Sequence, residues 1–96
     1  MSNENIYRTI DIERRGYGKR YTWLPVDQLT REGFVIDCQD AYVQPHMYDI
    51  RPGDIARWRE GERLIEAIVS HVHVEGSAVH AQVEGARPLP PEAFHP

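Results

Sequence analysis

His71, His73 and His80 are the residues whose type and spacing come nearest to a site of chemistry. They sit in two alternating apolar runs, Ile68-Val69-Ser70-His71-Val72-His73-Val74 and Val79-His80-Ala81-Gln82-Val83, on either side of Glu75-Gly76-Ser77. If the runs pair with Val74 opposite Val79 and Val72 opposite Ala81, the three imidazoles fall on one side of a hairpin. Three imidazoles on one face could bind zinc, nickel or copper, and so support a metal-dependent enzyme. An exposed polar sheet face explains the same pattern, and no carboxylate is uniquely placed as a fourth ligand, Glu66 and Asp54 being too scattered. The expectation is therefore no metal and no other cofactor. Cys38 beside Asp37, with His46 eight residues on, contains the types of a thiol nucleophile and its base. A free cysteine ending an apolar run is more often a small buried hydrophobe. No carboxylate stands alone in an apolar context that would raise its pKa for acid catalysis. Gly16-Tyr17-Gly18 lacks the third glycine and following helix of a dinucleotide loop. These absences point away from an enzyme.

The other chemical signal is cationic and aromatic. Arg14, Arg15, Lys19 and Arg20 crowd one short segment in which Tyr17, Tyr21 and Trp23 are interleaved. Such a stripe can grip phosphates and stack bases, which makes a small nucleic-acid-binding barrel the alternative reading, carried by Arg14, Arg15, Lys19, Arg20, Tyr17 and Tyr21. Bulk charge disfavours it, since fifteen acidic residues against eleven basic ones leave a net charge of -4. Arg and large aromatics also dominate protein interfaces. Protein contact is the leading expectation, with Tyr17, Arg20 and Tyr21 in the first loop and its outgoing strand, and Trp58 and Arg59 near a later turn, as anchors.

These side chains must be held by a β framework. Ile6, Ile10 and Ile12 recur at even spacing, Gly16 and Gly18 permit a reversal, and Tyr21 and Trp23 resume alternation, which predicts a hairpin over residues 5–23. Pro25, Val26, Leu29 and Gly33 suggest one or two helical turns. Phe34-Val35-Ile36 and Ala41-Tyr42-Val43 read as two short strands. Arg51-Pro52-Gly53-Asp54 places Pro and Gly at the centre of a tight turn, and Glu60-Gly61-Glu62 turns again. Residues 62–74 match both a strand and a helical stripe; the β-branched composition favours a strand bulged near Glu66. Residues 67–84 then form a hairpin about Glu75-Gly76-Ser77. From Gly85 the chain is Pro-rich, which predicts a β-rich domain over residues 1–85 and an extended tail over 86–96.

Six or seven short strands with at most one short helix in 96 residues define the fold class as mainly β, a small antiparallel barrel or sandwich. Trp23, Trp58, Phe34 and the Ile/Val positions are expected to fill it. A chain of this length buries only about 60–65% of its unfolded surface, so help from a protein partner or a homo-oligomer is expected. One cysteine makes no internal disulfide, no leader is evident and no apolar run reaches about 18 residues, so the cytoplasm is the expected compartment and no membrane association is expected.

The order Ile50-Arg51-Pro52-Gly53-Asp54, Gly61-Glu62, Glu66-Ala67-Ile68-Val69-Ser70 and Gly76-Ser77 resembles the carboxyl-terminal half of tailed-phage head–tail joining, or head-closure, proteins. Those are small β-barrels that sit as a ring between the DNA-filled head and the tail. The resemblance implies a non-catalytic adaptor, working by ring assembly and located in the virion.

Overall fold

Period-two alternation of apolar side chains generates seven strands in the computed structural model, which describes residues 8–90. They are β1 (Arg8–Arg14), β2 (Gly18–Val26), β3 (Gln28–Thr30), β4 (Gly33–Asp37), β5 (Ile55–Glu60), β6 (Arg63–Glu75) and β7 (Ala78–Pro88). The strands form one sheet in the order β2-β1-β5-β6-β7-β4-β3, every neighbouring pair antiparallel. β2 and β3 stand at opposite ends of that order, yet only Asp27 separates them along the chain. The sheet must therefore curl until its ends approach. Asp27 sits at the join: its N–H donates to the Val35 carbonyl (2.8 Å), and its carboxylate accepts the Asp37 N–H (2.6 Å). The result is a small, barrel-like antiparallel β fold.

The concave face holds one core, from Ile10 and Ile12 of β1 through Phe34, Trp58, Ile65 and Val69 to Val79 of β7. Each turn uses the residue its geometry demands. Gly53 has φ 96°, and Asp54 N–H donates to the Arg51 carbonyl (3.0 Å), as a type II turn requires. Gly61-Glu62 and Gly76-Ser77 close two-residue hairpins, with Glu60 opposite Arg63 and Glu75 opposite Ala78.

β6 resolves the strand-or-helix ambiguity over residues 62–74 in favour of a strand. Its ladder with β7 shifts register twice, between Glu66 and Ile68 and between Val69 and His71. At the first shift the extra residue is carried by β7, where Gly85 takes φ 67°. At the second it is carried by β6 beside Ser70, so the inward set Ile65, Ala67, Val69 continues as Val72. Leu64 and Ile68 on the opposite face are half-buried as well. One bulge and two partly covered faces together imitate helical spacing.

Three sequence expectations are corrected. The segment after Pro25 is not helical: Val26 ends β2 and Leu29 lies in β3, because pairing with β4 satisfies this backbone as a strand. Ala41-Tyr42-Val43 is an exposed irregular segment followed by a 3-10 turn over Pro45–Met47; it has no strand beside it to pair with. The sheet does not stop at Gly85. β7 continues to Pro88, with Glu66 opposite Arg87 and Ile65 opposite Pro88, and Leu89 N–H donates to the Leu64 carbonyl (2.8 Å). Ile6 of the first hairpin and the last six positions of the expected tail lie outside the described residues. No helix among the described residues is long and apolar enough to cross a membrane.

Candidate functional site

The two tryptophans take opposite places, and the cause is one bulge. In the β1–β2 ladder Ile10 faces Leu24 and Ile12 faces Tyr21, so two residues of β1 oppose three of β2. Leu24 and Tyr21 both turn towards the core, and the surplus falls on Thr22-Trp23. Trp23 adopts φ 57°, the left-handed region that a bulky residue rarely enters. Its N–H donates to Asp11 Oδ1 (2.9 Å), which fixes the bulge, and its side chain is 76% exposed. Trp23 is therefore not a core residue as expected. Trp58, expected both to fill the core and to anchor an interface, is 3% exposed and belongs to the core alone. Alternation along β5 sends Ala56 and Trp58 inward and leaves Arg57 and Arg59 on the outer face.

Beneath Trp23 runs a groove of about 740 Å3. Arg8, Thr9 and Asp11 of β1, Lys19 of β2, Leu29 of β3 and Arg57 and Arg59 of β5 line it, with Leu64 and an edge of Trp58 at its floor. One rim is braced by Arg31, whose guanidinium makes a two-pronged contact with Glu60 (2.8 and 3.1 Å). Arg31, with help from the Trp58 indole, holds the Glu60 carboxyl below its ordinary range against the opposing effect of burial. Tyr17, at the tip of the β1–β2 hairpin, is 78% exposed, and Tyr42 in the β4–β5 connection is fully exposed.

The basic residues of the same hairpin are mostly engaged by acids of this chain. Arg14 grips Asp54 through two bonds (Nε–Oδ1 2.9 Å, Nη2–Oδ2 3.0 Å) and reaches Asp49 Oδ2 (3.0 Å) and the Asp49 carbonyl (2.9 Å). Asp54 is only 2% exposed and also accepts the Arg51 N–H (2.9 Å), so this cluster fastens the β4–β5 connection to β1. Arg20 pairs with Asp49 (2.7 Å) and Lys19 with Asp11 (3.4 Å). Tyr21 is half-buried; its hydroxyl accepts the Asp49 N–H (2.8 Å), and its ring lies 6.1 Å from that of Tyr48. Arg15 is exposed. The nucleic-acid alternative thus meets a segment whose phosphate-directed donors Arg14, Lys19 and Arg20 already hold carboxylates. Sequence reasoning missed this, because Asp49 and Asp54 lie 35 and 40 residues from Arg14.

The His-bearing hairpin has the expected register: Val74 faces Val79, His73 faces His80 and Val72 faces Ala81. The His73 and His80 rings are stacked at 5.0 Å between centroids, and His71 lies 5.5 Å from His73. The structure adds a carboxylate that sequence reasoning had left in the turn, since Glu75 reaches back to both His73 and His80. Cys38 is buried, and burial first, then Asp37 and Asp27, push its thiol up, away from the thiolate that a nucleophile requires. His46 is exposed on the 3-10 turn.

Comparison with family models, with curated proteins and with solved structures finds no match.

Proposed function

We propose that this chain is a non-catalytic adaptor that works by protein–protein contact, with Trp23 as its central anchor. The observation that carries the reading is a large aromatic held in the left-handed backbone region by an acidic side chain and turned outward over a groove. Non-glycine residues in this region cost on the order of 1–2 kcal/mol, and such strain concentrates where a side chain must be aimed. Rigid aromatics flanked by Arg are the residues that carry interface energy. Arg8, which lines the groove together with Trp23, suits a partner segment with an apolar side chain and a neighbouring carboxylate. Tyr17, exposed at the tip of the same hairpin, extends the contact surface. A homo-oligomeric ring, the form the head–tail joining resemblance implies, is one way such a surface is used.

The internal pairing of Arg14, Lys19 and Arg20 tells against phosphate recognition. Association of the purified chain, alone and with the products of its neighbouring genes, is read by sedimentation and native mass spectrometry. Expected is a complex or ring that Trp23→Ala reduces to free chain without loss of fold. A chain that remains monomeric with every partner, or a Trp23→Ala variant that assembles as well as the parent, overturns the proposal. Salt-sensitive binding to DNA or RNA that is lost on Arg15→Ala would favour the alternative instead.

A further inference from the structure

The outer face of the β6–β7 hairpin holds a second constellation, independent of Trp23. His73 and His80 are direct cross-strand partners, a relation that places Cβ atoms about 5 Å apart. Glu75 lies two residues beyond His73 on the same face and is the last residue before the Gly76-Ser77 turn. Its Oε1 is 3.7 Å from His73 Nε2 and 3.8 Å from His80 Nε2. One donor atom from each of the three lies within 4.8 Å of the other two, the one such convergence among the described residues. We propose that His73, Glu75 and His80 form a three-donor site for a divalent transition ion of the zinc, nickel or copper class.

Metal–nitrogen and metal–oxygen distances of about 2.0–2.2 Å around a tetrahedral ion set donors roughly 3.4 Å apart. The two His–Glu separations need to shorten by a few tenths of an ångström, and the two imidazole donors, which lie within 4.8 Å of one another, by up to about 1.4 Å, changes that rotations of these exposed and half-exposed side chains supply. The strands fix both histidine Cβ positions in advance, so little is left to order. Two imidazoles and one carboxylate select borderline ions over magnesium and calcium, which require oxygen ligands. The fourth position of the tetrahedron faces solvent. His71 shares the face but lies outside the three-donor group, which makes it the internal control.

The test is a calorimetric titration of the full chain with zinc chloride near neutral pH, repeated with nickel chloride and with magnesium chloride. Expected is one zinc or nickel per chain and no magnesium uptake. His73→Ala and His80→Ala each weaken binding about tenfold or more, Glu75→Gln weakens it about threefold or more, and His71→Ala and His46→Ala stay within about twofold. Far-UV circular dichroism checks that each variant keeps its sheet. If one does not, nickel-induced broadening of ring-proton signals in the unmodified chain takes its place, expected at His73 and His80 and not at His46. Absence of saturable zinc or nickel binding overturns the proposal. So do equal losses from His46→Ala, His71→Ala and His73→Ala, which mark scattered exposed imidazoles in place of a built site.

Discussion

At the scale of single residues, Trp58 and Trp23 are the same side chain under opposite rules. Trp58 is buried in the core, so Trp58→Ala removes its apolar burial and leaves a void; stability falls by about 3–5 kcal/mol in denaturant unfolding. Trp23 contributes little burial and bears a left-handed backbone. Trp23→Gly removes the Cβ that makes this conformation costly, so stability is held or rises by about 1 kcal/mol while association is lost. The two variants, compared in one urea series and one sedimentation series, separate packing from recognition. A Trp23→Gly variant that unfolds as readily as Trp58→Ala would show that the exposed indole is structural. The same logic explains why Arg14 is a poor probe of ligand binding: its loss strands Asp54, a carboxylate almost wholly withdrawn from water, and perturbs the fold first.

At the scale of strands and turns, Gly33 sets how closely β4 approaches β7. A Cβ there would lie 2.3 Å from the Ala81 carbonyl oxygen, a backbone atom that cannot swing aside. Gly33→Ala should destabilise by about 1–3 kcal/mol, read from the unfolding midpoint, whereas Gly16→Ala meets no neighbour and bears only its φ penalty. Much of this layer was legible from residue order. The Pro52-Gly53, Gly61-Glu62 and Gly76-Ser77 turns follow from local backbone demands, and the His73–His80 register follows from two-residue turn geometry. What was not legible depends on distant partners. The three-residue strand β3 is too short to declare a period, and it exists because β4 pairs with it. Pro25 reads as a break, yet in an edge strand its missing N–H withdraws nothing from the sheet. The Trp23 bulge depends on Asp11 capturing an amide across the ladder, and Glu75 joins the histidines through a side-chain rotamer that turn composition does not encode.

At the scale of the whole molecule, the Asp49 cluster makes stability depend on acidity. The Arg14 guanidinium, and then Arg51, hold the Asp49 carboxyl well below its ordinary range against the opposing effect of partial burial. A carboxylate whose value is lower in the folded chain than in the unfolded one stabilises the fold fully above about pH 4 and loses that contribution as pH falls toward the folded value. Thermal midpoints should therefore drop from about pH 5 to pH 2, and Asp49→Asn should flatten that slope while starting lower at neutral pH. A slope unchanged by the substitution would move the effect to other carboxylates such as Glu60. The pairing of Ile12 with Ala56 places residues distant in the chain at the centre of the sheet, beside the sequential hairpins β5–β6 and β6–β7. Those hairpins can nucleate on their own, but β1 must search across an unformed loop before its ladder repays the lost entropy, so refolding should take milliseconds to seconds in stopped-flow. Newly made chains therefore pass through an interval in which β5–β7 stand with both outer edges open, β5 awaiting β1 and β7 awaiting β4, and in that interval premature cross-pairing between nascent copies competes with maturation.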